Sequence, residues 1–109
     1  MSAAEEGGPL VVFVTTSTVE EAARIARTLV EERLAACGNV VGGVRSIYRW
    51  EDKIEDDPEA LLILKTRRAL FYRLQARVAE IHSYHVPEII AVPVEAGYAP
   101  YLVWIKSST

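Results

Sequence analysis

His82 and His85 stand three residues apart, and Glu88 follows at the same interval. Two imidazoles and a carboxylate are donor types that bind copper or zinc. Pro87 and the end of a helical pattern lie within the run, so His82 also suits a helix cap and His85 a surface position. Two histidines supply only half of a tetrahedral site, so water or a second subunit would have to complete it. Cys37 is the single thiol. It follows two alanines at the predicted end of the first helix, where it reads first as a small buried hydrophobe. The negative end of a helix disfavours a thiolate, although a thiolate would suit Cu(I) or zinc. Lys65 closes an apolar strand, and its amine offers a salt bridge to Glu88 or a recognition charge for a small anion. No Ser/His/Asp, Cys/His or phosphate-loop pattern is present, which argues against an enzyme.

A chain of 109 residues forms one domain. Its net charge of −3 offers no basic face for a phosphate backbone, which excludes nucleic acid as an expected partner. One cysteine cannot form an internal disulfide. Residues 1–9 carry no basic residue and no apolar run, and they read as a frayed tail rather than a leader. No apolar stretch approaches the roughly 20 residues of a membrane helix, so no membrane is expected and the cytoplasm is the expected compartment.

The elements that must position these residues follow from hydrophobic periodicity. Leu10–Val14 is a continuous β-branched apolar run, the mark of a strand with two apolar faces. Thr18 and Glu21 form a capping box. It opens a helix with Ala22, Ala26, Leu29 and Val30 on one side, and that helix is expected to end at Ala36–Cys37 with Gly38 as its left-handed cap. Asn39–Trp50 is a strand with a bulge at Gly42–Gly43, Glu51–Asp52–Lys53 a polar turn, and Ile54–Lys65 the return strand. Pro58 confines its part of that strand to an edge or a bulge, and Glu51, Glu55, Asp56 and Asp57 read as a solvated acidic turn. Thr66 is placed to cap a second helix with Leu70, Leu74, Val78 and Ile81 buried. Ile89–Val94 is the last main strand, and Tyr101, Trp104 and Ile105 share a face of a short terminal helix. The order is βαββαβ with a helical tail, an α+β ferredoxin-like sandwich.

Two long helices cover only one face of a four-stranded sheet. The strands are nevertheless apolar at successive positions, so the other face is apolar as well. About six such side chains, at roughly 1.5–3 kcal/mol each, leave on the order of 10 kcal/mol of burial to be found outside the monomer. A patch of that kind marks an interface, and the chain is expected to be a homo-oligomer. The competing arrangement folds the terminal helix and the Arg49–Pro58 hairpin back over that face.

Five segments then carry a resemblance: Glu31–Cys37, Val44–Trp50, Leu64–Thr66, His82–Ile89 and Tyr101–Trp104. In order and spacing they resemble the CutA family, over about residues 10–106. The resemblance implies a homotrimer shaped like the PII signalling proteins, linked to tolerance of divalent metals and of copper above all. No cofactor is expected to be required, and Cu(II) or another divalent cation is expected to bind weakly near His82. It also implies clefts between subunits near Trp50, Lys65, Tyr84, Glu88 and Trp104, and hence a PII-like sensor of a small organic ligand as the alternative function. The chain departs from the family pattern at Ser83, where Pro is usual, at His85, where Glu or Gln is common, and at Asp52, where Gly is usual. Thr15 and Ile81 stand where some members carry a thiol and a second imidazole proposed as copper ligands, so His82 alone remains of that set.

Overall fold

The computed structural model describes residues 8–109. The expected tail falls mostly outside the described residues, but the first strand already begins at Pro9. Four strands and three helices follow in the order β1 (Pro9–Thr16), α1 (Val19–Glu31), β2 (Cys37–Trp50), β3 (Lys53–Arg67), a 3₁₀ turn (Arg68–Leu70), α2 (Phe71–Ile81), β4 (Ile89–Pro93) and α3 (Ala99–Ser107). The strands form one antiparallel sheet in the order β2-β3-β1-β4, the split arrangement expected of the ferredoxin-like fold.

Burial alternates strictly along β1 and the inner part of β3. Val12, Val14, Leu62 and Leu64 face α1 and α2 and form one core cluster with Ile25, Leu29, Leu74 and Val78, and Leu10 is buried at the start of β1. The Thr18 hydroxyl accepts the Glu21 N–H at 3.1 Å, which opens α1 as its sequence predicts. The other end of α1 differs from expectation. The helix stops at Glu31, and Arg33, not Gly38, is left-handed, with φ 59°. Leu34 and Ala35 then both reach back to the Leu29 carbonyl, so two more apolar side chains enter the core without further helix. Gly38 lies within β2 for a steric reason: a Cβ there would stand 2.8 Å from the Ala26 Cβ, so its absence lets α1 approach the sheet. Val30 is exposed rather than buried. Thr66 caps nothing: it is a buried strand residue whose hydroxyl donates to the Leu34 carbonyl at 2.7 Å, and α2 starts without a side-chain cap.

The β2–β3 hairpin is long. Its register shifts between Val41 and Val44, where Gly43 takes φ +75°, and it closes through Glu51 and Asp52, both left-handed at φ 49° and 66°. Within β3, β1 pairs only with Ala60–Arg67, so Lys53–Glu59 forms an arm paired with β2 alone, and Pro58 lies on this edge segment as its sequence predicts. The acidic residues of the arm are not merely solvated. Arg45 donates twice to Asp56, at 2.9 and 2.7 Å, and the Tyr48 hydroxyl donates to Asp57 at 2.7 Å.

Away from α1 and α2 the sheet presents Val11, Phe13, Leu61 and Ile63, all half-buried. The terminal helix α3 covers one end of this face. Ile105 is buried, Arg67 donates to the Thr109 hydroxyl at 3.0 Å, and the Cys37 thiol lies 3.7 Å from the Tyr101 hydroxyl. The rest stays open: Ile90 is 55% exposed and Val92 45%.

Candidate functional cleft

Cys37, His82 and His85 occupy three separate environments. Cys37 begins β2 instead of ending a helix, and it is half-buried against Tyr101. His82 ends α2, and its side chain is fully buried. The Tyr84 N–H donates to Nδ1 at 3.0 Å, so the ring proton resides on Nε2, which donates to the Thr15 carbonyl at 2.8 Å. Both nitrogens are therefore used within the fold. Thr15 and Ile81 add no donor set beside them, and the residues there do not fit a copper ion. Among the described residues, no three His, Cys, Asp or Glu side chains are grouped to hold a metal. His85 is exposed.

The His82 ring belongs to a latch that positions the loop after α2. Glu21, on α1, is almost fully buried and accepts the Ser83 N–H at 2.8 Å, the Ser83 hydroxyl at 3.0 Å and the Ser17 hydroxyl at 3.2 Å. Burial alone would raise the Glu21 carboxyl, but the Ser83 hydrogen bonds outweigh it and hold the carboxyl below its ordinary value. Proline at position 83 would lack both donors, which gives this chain's departure there a local role.

Beyond the latch the loop walls a cleft of about 540 Å³. Ser46, Ile47, Tyr48 and Trp50 of β2 form one side, with Glu59 of β3 and Thr15 of β1 at the base. Tyr84, His85, Val86 and Glu88 close the other side. Of the residues the sequence singles out, the structure thus gathers Trp50, Tyr84, His85 and Glu88 here. Lys65 and Trp104 lie elsewhere. Lys65 pairs in register with Cys37 and donates to Asn39 Oδ1 rather than to Glu88. Trp104 stacks obliquely on Tyr101, with ring centroids 5.5 Å apart.

Glu59 is, with Tyr48, a polar cleft residue that sequence reading missed. Its strand alternation with Leu61 and Ile63 was the available signal, because that period places it on the open face. Tyr84 Oη donates to Glu59 Oε2 at 2.6 Å. Burial, then this carboxylate, push the Tyr84 phenol upward. The Tyr48 phenol is pushed up to about 12, first by its bond to Asp57. Glu88 is held above its ordinary value by burial and then by the charge of Glu59. Lys and Arg are absent from the lining among the described residues, so the cleft is acidic and aromatic.

With this geometry in place, the likeness to known proteins is specific. The family model of the CutA1 divalent ion tolerance protein matches residues 10–108. The divalent-cation tolerance protein CutA of Thermus thermophilus is 48% identical over 99 residues, 91% of this chain and 96% of that protein. The chloroplastic CutA protein of Arabidopsis thaliana is 46% identical over 100 residues, 92% of this chain but 55% of its own length, so the chain spans about half of that relative. Among solved structures, the divalent cation tolerance protein of Thermus thermophilus superposes with a TM-score of 0.90 at 46% identity, covering 93% of this chain and 98% of its own. CutA1 of Oryza sativa gives 0.91 at 45% identity, covering 94% of each chain. Such agreement over nearly the whole of the domain and its sheet means that the chain belongs to the CutA1 divalent ion tolerance family.

Proposed function

We propose that the chain acts in divalent-cation tolerance as a homotrimeric binding scaffold in the cytoplasm, with the acidic aromatic cleft as its binding site and no catalysis of its own. The observation that carries this reading is the sheet face that α3 leaves uncovered, with Ile90 55% and Val92 45% exposed beside Phe13 and Ile63. A second copy is the simplest cover for an apolar face of that kind. The cleft opens beside this face, on the side of the sheet that carries Thr15 and Glu59. No membrane partner is part of this reading, and no helix among the described residues is long and apolar enough to cross a membrane.

The PII-like alternative, a sensor of a small organic ligand, is favoured by the size of the cleft, which falls within the range of small-molecule sites. A small anion is the less favoured ligand, because Lys65 is outside the cleft and two carboxylates are inside it. Direct copper binding rests on family membership. Its residues of choice are His85 and Glu88 rather than His82 or Cys37, since only the former pair faces the cleft.

Mass-resolved light scattering at micromolar concentration, with and without Cu(II), tests the proposal. The expected mass is three times the 12.1 kDa of one chain, in either condition. A well-folded single-chain particle overturns it. Calorimetry with Cu(II) should show binding weakened in His85→Ala and unchanged in His82→Ala if copper contacts the cleft.

A further inference from the structure

We propose that the cleft between the β2–β3 arm and the Tyr84–Glu88 loop takes a small protonated organic amine with an apolar body. This rests on the reading of the cleft as the binding site and adds the chemical class of its ligand. The charged groups on offer are acceptors, the carboxylates of Glu59 and Glu88, set beside the Thr15 and Ser46 hydroxyls, the Trp50 indole and the His85 ring. Glu59 and Glu88 come from separate elements, and the Tyr84 hydroxyl proton is already given to Glu59, which leaves that oxygen's lone pairs free. Among the described residues, no lysine or arginine lines the space to neutralise the two carboxylates. The nearby Arg45 is held on Asp56, on the arm. The ligand that completes this set is a donor with positive charge.

The walls specify the rest of it. Trp50, Tyr48 and Tyr84 offer three aromatic rings whose faces attract ammonium groups, with Trp50 and Tyr48 open to an incoming ligand and Tyr84 half-buried. Partial desolvation and the charge of Glu59 hold Glu88 above its ordinary value even though it remains open to solvent, so the site contains a repulsion that an ammonium would relieve. A bare metal ion would use the carboxylates but not the rings, and among the described residues no three ligating side chains gather here. An organic anion would meet two like charges.

Isothermal calorimetry on the full, assembled chain tests the proposal with 2-phenylethylammonium, against 2-phenylethanol and phenylacetate as its neutral and anionic counterparts. The ammonium is expected to bind at least about tenfold more tightly than either, and Glu88→Gln to weaken it by about tenfold, the worth of one charged contact. Trp50→Ala should weaken the ammonium too, while Tyr101→Phe, outside the cleft, should not. Circular dichroism and light scattering on each variant separate lost binding from lost folding. Equal binding of the alcohol or phenylacetate, no measurable ammonium binding by assembled protein, or unchanged affinity in both Glu88→Gln and Glu59→Gln overturns the proposal. A single-chain particle that still binds the ammonium would remove the assembly reading and keep this one. An assembled protein that ignores it would do the reverse.

Discussion

The two faces of the sheet solve the same problem differently. The face under α1 and α2 is complete within one chain: Val12, Val14, Leu62 and Leu64 are fully buried, and the carboxylate that enters this side, Glu21, is saturated with donors. The opposite face is unfinished. α3 covers one end through Ile105, Ile90 and Val92 remain in water, and the carboxylates there, Glu59 and Glu88, stand against each other without a basic partner among the described residues of the cleft. One loop separates the two regimes, anchored through Ser83 to the finished side and presenting Tyr84 and Glu88 to the unfinished one. Stability and the proposed binding site thus fall on opposite faces. A closed, satisfied surface gains nothing from a partner, whereas an open apolar and charged one does.

The sharpest test of this division alters one residue on each face. Leu29→Ala, in the closed core, should cost about 2–5 kcal/mol in chemical denaturation. Ile90→Asp should leave the fold intact by circular dichroism but lower the assembled mass toward that of one chain. If the second variant unfolds the protein, the faces are not independent. Glu21→Ala should follow at about 1.5–3 kcal/mol, because it removes the charged acceptor of the Ser83 and Ser17 hydrogen bonds.

Close packing offers a finer probe. Gly38→Ala would drive a methyl into Ala26 and should cost about 1–3 kcal/mol in the same denaturation experiment, with little effect on assembly. An unchanged midpoint would mean that α1 can draw back from β2 at no cost.

The smallest effects are those of pH, and their signs oppose each other. Glu21 has a depressed folded value, so its stabilisation is fully present above the unfolded value of about 4.3 and is lost as pH falls through the folded one. Glu88 has a raised folded value, so its unfavourable contribution is present at neutral pH and is relieved as pH falls through that value. Glu21→Gln should therefore flatten the acid limb of a stability–pH curve. Glu88→Gln should change stability at pH 7 by no more than about 0.5 kcal/mol, toward greater stability. Thermal melts from pH 3 to 8 would read both. A loss of stability in Glu88→Gln at neutral pH would mean that the cleft is satisfied within the chain after all.

Much of this is written into local sequence. The β-branched runs, the Thr18 cap, the Gly42–Gly43 bulge and the spacing of Leu70, Leu74 and Val78 define their elements through periodicity and backbone preference, which act over a few residues. The five family segments reach further, because they hold the order of the whole domain. Where local reading fails, a long-range contact decides the outcome. Helix α1 ends early because Leu34 and Ala35 find the core, Gly38 is small because Ala26 passes over it, and Thr66 stays in β3 because the Leu34 carbonyl waits for its hydroxyl. The site follows the same rule. Tyr84, His85 and Glu88 are neighbours in the chain and are readily grouped by eye. Glu59, Tyr48 and the burial of both His82 nitrogens depend on strand register and on which face the loop meets. Local preferences set what each segment becomes; only the packing of distant segments decides which side chains share a cleft, because residues far apart in the chain carry no local signal of their contact.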